Sequence, residues 1–462
     1  MSGIVNALNL AKTGLLTGQK ALEIAGNNIS NVNTPGYSRE VPTFTAFPSI
    51  MIQGIMVGSG SGISNISREH DAFLTKQIQD KNASLGSEEG KAEPLTQVEN
   101  TIGISSDSLG VKIDNFFSSW QALSGDPGNQ VARSNVLDSG SQLGVAFYSA
   151  VKGLQAVQGN LDVSLGVKIG ELNTKIKQVA ELNQTIAGIE AGGPNALSAR
   201  DQREELLKEI SYSVGGTTIE SASGMVSVYL PNGLPLVQDQ DAFTLGVSTA
   251  GGVQSLQLNT GSQPMNLATD KVGGEIHGLL AVRDQIIPDL INNLDKLAFN
   301  LANQVNAAHQ LGTGLDGVGA RNFFTPPALQ AGAASTLTVA LGSYNQVAAG
   351  LTSATGDNTN ALNISALGGA LTIDGSYTFS GYYGQLATDV GGEVSNNKMM
   401  VTGNKDSLDL ISNLRDNTVG VSIEEEMVSL IRYQKGFEAS AKYLTVVNEM
   451  LATLLNVGGS TV

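Results

Sequence analysis

No cysteine occurs in the 462 residues of this chain. Disulfides, a cysteine nucleophile and thiolate metal sites are thereby excluded, and the absence suits a protein that ends up outside a cell without cross-linking. Histidine is nearly as scarce: His70, His277 and His309 are the three, far apart in sequence. None stands in a His-Glu-x-x-His or other metal-ligand spacing, so each reads as structural or surface histidine, and no metal or cofactor is expected. Charge is low as well. Asp, Glu, Lys and Arg make up 15% of the chain, against about 25% in an ordinary soluble domain. What charge there is leans acidic, 42 Asp+Glu against 26 Lys+Arg for a formal −16. Nucleic acid and anionic membrane both demand clustered basic residues and are excluded as main partners. No apolar run approaches the roughly 20 residues of a membrane span. The opening "MSGIVNALNLAKTGLL" lacks the basic start and unbroken apolar core of a cleaved secretory signal.

Catalytic motifs are missing too. There is no Gly-x4-Gly-Lys-Ser/Thr phosphate loop, and "GSGSG" at 58–62 matches a nucleophile elbow in letters only. Asp201, Glu204 and Glu205, with Arg200 and Arg203, read as the solvated charged face of a helix. The sequence therefore points away from an enzyme. Gly, Ser, Asn and Thr fill the place of charge, and a neutral polar surface costs less to desolvate against another protein.

What the chain does have is periodicity at both ends. Ile4, Leu8, Ala11, Leu15, Gly18, Leu22, Ala25, Ile29 and Val32 alternate at four and three, a heptad stripe over four repeats. One row is Leu8, Leu15, Leu22 and Ile29; the other is small and lets a partner backbone come close. Near the far terminus Ile423, Leu430, Phe437, Leu444 and Leu451 recur every seven residues. A capping box, Ser422 with Glu425, opens that helix, and Gly458-Gly459 is expected to stop it. The two stripes predict terminal helices that pair as an antiparallel or mixed coiled coil.

Between them the fold class is mainly α with β-rich insertions, an α+β multidomain chain. Helical patterns are expected from Asp71, around Trp120, over 130–190, through "NALSARDQREELLKEIS" at 195–211, and over 273–310. Alternation and Gly-rich turns predict a β-rich outer module at 213–270 and β-rich stretches at 321–382, including "STLTVALG" and "GSYTFSGYYG". The domains read as 1–50 plus 409–462 (terminal coiled coil), 51–212 plus 271–408 (helix-rich body), and 213–270.

"NNISNVNTPGYSRE", residues 27–40, ends the first helix unusually. Asn27, Asn28 and Asn31 read as neutral polar faces for neighbouring subunits, Asn33 and Thr34 as the helix stop, and Pro35-Gly36 before Tyr37 as a redirecting turn. This segment resembles the Asn-rich signature shared by bacterial flagellar rod, hook and hook-associated axial proteins. "YQKGFEASAKYLTVVNEMLATLLN" at 433–456 is similar to their shared last helix. "EHDAFLTKQIQ", "NALSARDQREELLKEIS" and "LAFNLANQVNAAHQLGTGLDGVGARNFF" are more selective and resemble the hook-associated family of the hook–filament junction.

The resemblance covers both ends and most of the helical body, but neither 213–270 nor 321–370. It implies a structural junction adaptor with no enzymatic activity. It implies export through the flagellar channel without a cleaved signal, aided by an export chaperone on the C-terminal region. It also implies a homo-oligomeric ring-like layer between hook protein and the next junction protein, in the extracellular flagellum. The terminal helices would form the inner wall, and the chain is compact for the family, so an outer domain is expected to be reduced. Two alternatives remain open: a hook or distal rod axial protein, and a flagellum-borne adhesin or hydrolase, for which Tyr377, Tyr382 and Tyr383 are the local aromatic cluster.

Overall fold

The computed structural model describes residues 2–52, 54–250, 253–261 and 263–459. The first helix, α1 (Ser2–Ser30), is followed by four short strands, β1 (Glu40–Ala46), β2 (Ile50–Ile52), β3 (Ile55–Val57) and β4 (Ser61–Arg68). β1 pairs antiparallel with β4 across a register shift at Thr43/Phe44, and β2 pairs with β3 at the tip. Asp71 caps α2 (Ala72–Ile102), its carboxylate accepting from the Phe73 and Leu74 amides, which satisfies two amides that the first helical turn leaves unbonded. Then come α3 (Leu109–Gly125), α4 (Gln130–Glu190) and α5 (Leu197–Val214). At 61 residues, α4 is about 90 Å long at 1.5 Å per residue. It holds one face buried throughout, from Leu143 and Phe147 through Leu154, Leu161 and Leu172 to Ile186.

The expected β module forms two antiparallel sheets. One takes β5 (Thr217–Glu220), β6 (Val226–Tyr229), β7 (Pro235–Gln238) and β8 (Asp241–Ala242) in sequence order; the other takes β9 (Thr244–Ala250), β10 (Val253–Asn259) and β11 (Met265–Leu267). Both pack on α4, and asparagines of that helix clip them down. Asn173 donates to the Leu245 carbonyl and accepts from its amide, both at 2.8 Å. Asn183 does the same for Val226. An amide side chain here completes a strand edge that would otherwise leave buried backbone groups unpaired.

The chain continues through α6 (Gly274–Ala281), a π turn at Val282–Ile286, and α7 (Ile287–Leu311). Here the structure corrects the expected strands at 321–382. That stretch holds α8 (Ala333–Thr336) and α9 (Thr359–Leu367), and its β pairing is limited to isolated bridges such as Phe324–Val339 and Ile373–Tyr377. Side chains of α7 replace the ladder. Asp295 accepts from the Gly332 and Ala334 amides, and Asn306 pairs with both backbone groups of Phe324.

The last two helices are α10 (Phe379–Val419) and α11 (Ile423–Gly459). A boundary at 409 therefore falls inside α10, where no breaker interrupts the helix; the break comes at Gly420. The boundary at 50/51 likewise cuts β2. α11 runs through Gly458-Gly459, so its stop lies outside the described residues.

One hydrophobic core unites the body, drawn from Leu95 to Val394 and including the sheets. Its centre is aromatic. Phe116, Trp120, Phe323 and Phe324 are fully buried, with ring centroids 4.8–6.4 Å apart in tilted or edge-on pairs, the geometry that ring quadrupoles favour.

Candidate assembly site

α1 and α11 run antiparallel. A Cβ built on Gly18 would lie 3.3 Å from Phe437 Cβ, and one on Gly14 would lie 2.7 Å from Ser440 Oγ. The closest approach is therefore made by the small row. Ala11, Ala21, Ile24 and Ala25 are buried on α1, and Val447 on α11. The leucine rows behave differently from the expected buried seam. Leu15, Leu22, Ile29, Leu430, Phe437 and Leu444 are half-buried, whereas Leu8, Ile423 and Leu451 are exposed. Two helices alone cannot cover rows this wide.

The β1–β4 hairpin lies along the pair. Thr17 donates to the Ser61 carbonyl at 2.9 Å, Asn6 to the Gly58 carbonyl at 3.3 Å, and Phe44 meets the Tyr433 ring at 5.8 Å. The hairpin is uncharged from Val41 to Ser67, and Met51, Ile55 and Met56 at its tip are all more than 60% exposed.

The Asn-rich segment proves to be a closed turn within the chain. Asn28 is buried, donates to the Glu40 carbonyl and accepts from the Glu40 amide, both at 2.9 Å, and takes the Tyr37 hydroxyl at 2.7 Å. Asn31 bonds back to Asn27, and Thr34 to Asn31. Asn33 and Pro35 face solvent, and Gly36 turns the chain at φ +77°, a conformation that glycine takes without strain. Asn28 thus fastens the first residue of β1 to α1, and much of the motif's polarity is satisfied internally.

Immediately beyond it sits an ionic joint that the sequence reading missed. Ser38 donates from both its amide and its hydroxyl to Asp201. Arg68 bridges Asp201 and Glu204, each at 2.8 Å. Glu204 also meets His70, Thr75 and, from α10, Arg415. Arg39 crosses to α11, with Nε 2.7 Å from Glu426 and Nη1 3.0 Å from Glu425. The Glu425 carboxylate is thereby taken from the capping box, of which only its amide bond to Ser422 remains.

Asp201 and Glu204 are not a solvated face: Glu204 and Arg203 are buried. Burial works against ionising Glu204, but the neighbouring Arg68, His70 and Arg415 outweigh it and hold its carboxyl below the ordinary value. The available signal was the i, i+3 placement of two acids facing "SRE" at the end of the motif. An open groove of ≈830 Å³ lies between this motif and α4/α5, lined in part by Tyr37, Glu40, Glu181 and Glu205. Burial and the adjoining carboxylates push the Tyr37 phenol upward.

The remaining candidates are structural in placement. His309 is fully buried; Nδ1 lies 2.7 Å from the Arg321 carbonyl, and Nε2 accepts from the Ala348 amide. His277 meets Ser87. Tyr382 and Tyr383 are buried, bonded to Asn293 and to the Ile102 carbonyl, so they form no open aromatic platform; only Tyr377 is exposed. Among the described residues no three His, Asp or Glu stand close enough to hold a metal ion. No described helix is long and apolar enough to cross a membrane.

Comparison with known proteins agrees with this layout. The family model for the flagellar hook-associated protein FlgK helical domain matches residues 95–324, the span that supplies most of the body core. The flagella basal body rod protein model matches 8–37, and the flagellar basal body rod FlgEFG protein C-terminal model matches 416–457. Flagellar hook-associated protein 1 of Bacillus subtilis is 28% identical, over 99% of this chain and all of the relative. That of Escherichia coli is 25% identical, over 97% and 99%. The chain belongs to the flagellar hook-associated protein 1 family.

Its fold is shared with the flagellar hook junction protein FlgK from Burkholderia pseudomallei, at a TM-score of 0.66 and 15% identity, covering 74% of this chain and 99% of that one. As a member of this family the chain is a structural, hook-associated component of the bacterial flagellum, exported outside the cell. The terminal matches coincide with the α1–α11 pair and the Asn-rich turn, and the internal match with the helices that receive the joint.

Proposed function

We propose that the chain is the adaptor at the hook–filament junction and that it polymerises through its terminal helices into a ring-like layer. The observation that carries this is the unfinished terminal unit. Its two helices share a narrow small-residue seam while Leu8, Ile423, Leu451 and the hairpin tip stay exposed. Apolar rows of that width on a unit tied to a well-packed body are faces for other subunits. Hook protein would lie on one side and the next junction protein on the other. An export chaperone on the C-terminal region would cover α11 before assembly. In this reading α1, the β1–β4 hairpin and α11 do the polymerising, the helices from α2 to α10 are the outer body, and 213–270 is a solvent-facing module.

The test is complementation of a strain lacking this protein. Leu15→Asp or Leu444→Asp should leave the body folded and abolish filament growth; normal filaments with either variant would sink the proposal. A hook or distal rod role is favoured by the two terminal family models alone. The null strain separates the readings: complete hooks with flagellin lost to the medium mark a junction protein, and missing hooks mark the alternative.

A further inference from the structure

Two strands of chain cross between the terminal unit and the body. β4 reaches α2 through 69–71, and α10 reaches α11 through 420–422. Each crossing is anchored from both ends. The Glu69 amide donates to the Arg39 carbonyl of the unit at 2.8 Å, whereas Asp71 caps α2 of the body. The Gly420 amide donates to the Asp416 carbonyl of α10 at 2.9 Å, whereas Ser422 opens α11, its carbonyl accepting from the Glu426 amide at 3.0 Å. His70 and Val421 are left between the anchored ends. Elsewhere, among the described residues, few polar contacts join the two parts. Ser38 meets Asp201 through its amide at 3.1 Å and its hydroxyl at 2.7 Å. Arg68 Nη1 lies 2.8 Å from both Asp201 and Glu204. Asn195 donates to Asn65 and to the Ile66 carbonyl. Open space flanks this joint, the ≈830 Å³ groove beside Asp201 and a smaller one of ≈270 Å³ beside Arg68 and Glu204.

We propose that the terminal unit is hinged to the body at His70 and Val421 and is held at one angle by an ionic latch whose hub is Glu204. Hinges are a few residues at element ends that absorb the change in φ and ψ. Two parts of a chain turn relative to each other unless a large apolar interface locks them, and no described residue of the unit enters the body core. What remains to fix the angle is polar, and most of it is charge. The Glu204 carboxylate, 6% exposed, gathers a cation from each side of the hinge. Arg68 comes from the unit at 2.8 Å, and Arg415 from the end of α10 at 3.6 Å. His70 Nδ1, on the hinge itself, lies 3.4 Å away. Asp201, one turn earlier on α5, holds Ser38 and shares Arg68. Partly buried pairs are screened little by salt, so the latch can hold a direction that packing leaves open. The inference rests on the polymerisation reading for its consequence: the latch sets the angle at which each body leaves a layer built by the terminal units.

The absence of cysteine makes the test direct, because nitroxide labels can be placed in pairs without background. Lys12 on α1, Lys435 on α11 and Gln184 on α4 are all exposed. A chain carrying Lys12→Cys with Gln184→Cys reports the distance across the joint by double electron–electron resonance. A chain carrying Lys12→Cys with Lys435→Cys reports the distance within the unit. The purified monomer should give one narrow distribution for each pair. Adding Ser38→Ala and Arg68→Gln, both on the unit's side of the latch, should broaden the first distribution about twofold and leave the second unchanged. A first distribution that these substitutions do not change, or that is already broad without them, overturns the latch. Broadening of both shows that the unit has come apart rather than swung, and overturns the hinge. Should the double variant fail to fold, by circular dichroism and Trp120 fluorescence, Arg68→Gln alone is read in the same way. None of these distances depends on the junction role, which complementation of the null strain decides.

Discussion

The body and the terminal unit are built from similar helices but hold together in different ways. The body buries Trp120 and six phenylalanines, Phe116, Phe117, Phe147, Phe323, Phe324 and Phe379, in one continuous core. No described residue of α1, the hairpin or α11 enters that core. The terminal unit instead relies on alanines and glycines at a narrow seam, an asparagine turn and a row of ion pairs. Deep apolar burial stabilises on its own account, at about 25 cal/mol per Å², whereas a small-residue seam leaves broad apolar faces for others to complete. The difference teaches that the body is made to be folded as a monomer and the ends to be finished by neighbours.

Cutting into the core should hurt most. Phe116→Ala should cost about 3–5 kcal/mol, lowering the thermal midpoint followed by the fluorescence of the single tryptophan, Trp120. An equal loss from Leu22→Ala in the terminal unit would erase the contrast.

Acid should act on the body next. Burial pushes the His309 imidazole down to about 4, against an unfolded value near 6.5. The unfolded chain then binds a proton that the folded chain refuses. Stability from this group is complete above about pH 6.5 and falls as pH drops toward 4, by about 3 kcal/mol in all. Denaturant titrations from pH 7 to pH 4 should show the slope, and His309→Asn should flatten it.

The joint comes third. Asp201→Ala frees Ser38 and leaves Arg68 with Glu204 alone, and should cost about 2–3 kcal/mol. The loss should be visible as faster proteolysis within 1–70 while the body remains intact. Arg39→Ala should be milder, about 1 kcal/mol, and should loosen the start of α11 in hydrogen exchange. Lys20→Ala, at an exposed pair with Glu23, should change stability by less than about 0.5 kcal/mol.

Much of the fold was readable where periodicity ran long. α4 shows its seven-residue repeat openly, the capping Asp71 marks α2, and 213–270 alternates as strands do. Reading failed where side chains do the work of backbone. At 321–382 the β-like letters are held by Asp295, Asn306 and His309 from a distant helix, which no local pattern announces. The end of α10 was hidden for another reason: its Gly, Asn and Asp content looks like loop, yet the helix runs unbroken to Val419, with Asn397 and Lys405 bonded to Glu88 and Glu89 of α2 and Arg415 beside Glu204 of α5. The β1–β4 hairpin escaped notice because its Gly and Ser content masks the alternation.

At the candidate site the terminal rows were legible, but not how they divide between the partner helix and the exposed surface. A heptad pattern shows that two faces are apolar, not which of them a partner within the chain will take. Asn28 was visible as an odd polar residue; that it pairs with Glu40 depends on the turn at Gly36 bringing β1 back along α1.

Hydrogen exchange of the purified monomer tests the central contrast most directly. Amides of α3, α4 and α7 should exchange with the free energy of global unfolding, while those of α1 and α11 should exchange through a smaller local opening. Protection of α1 and α11 equal to that of α4 would contradict the account.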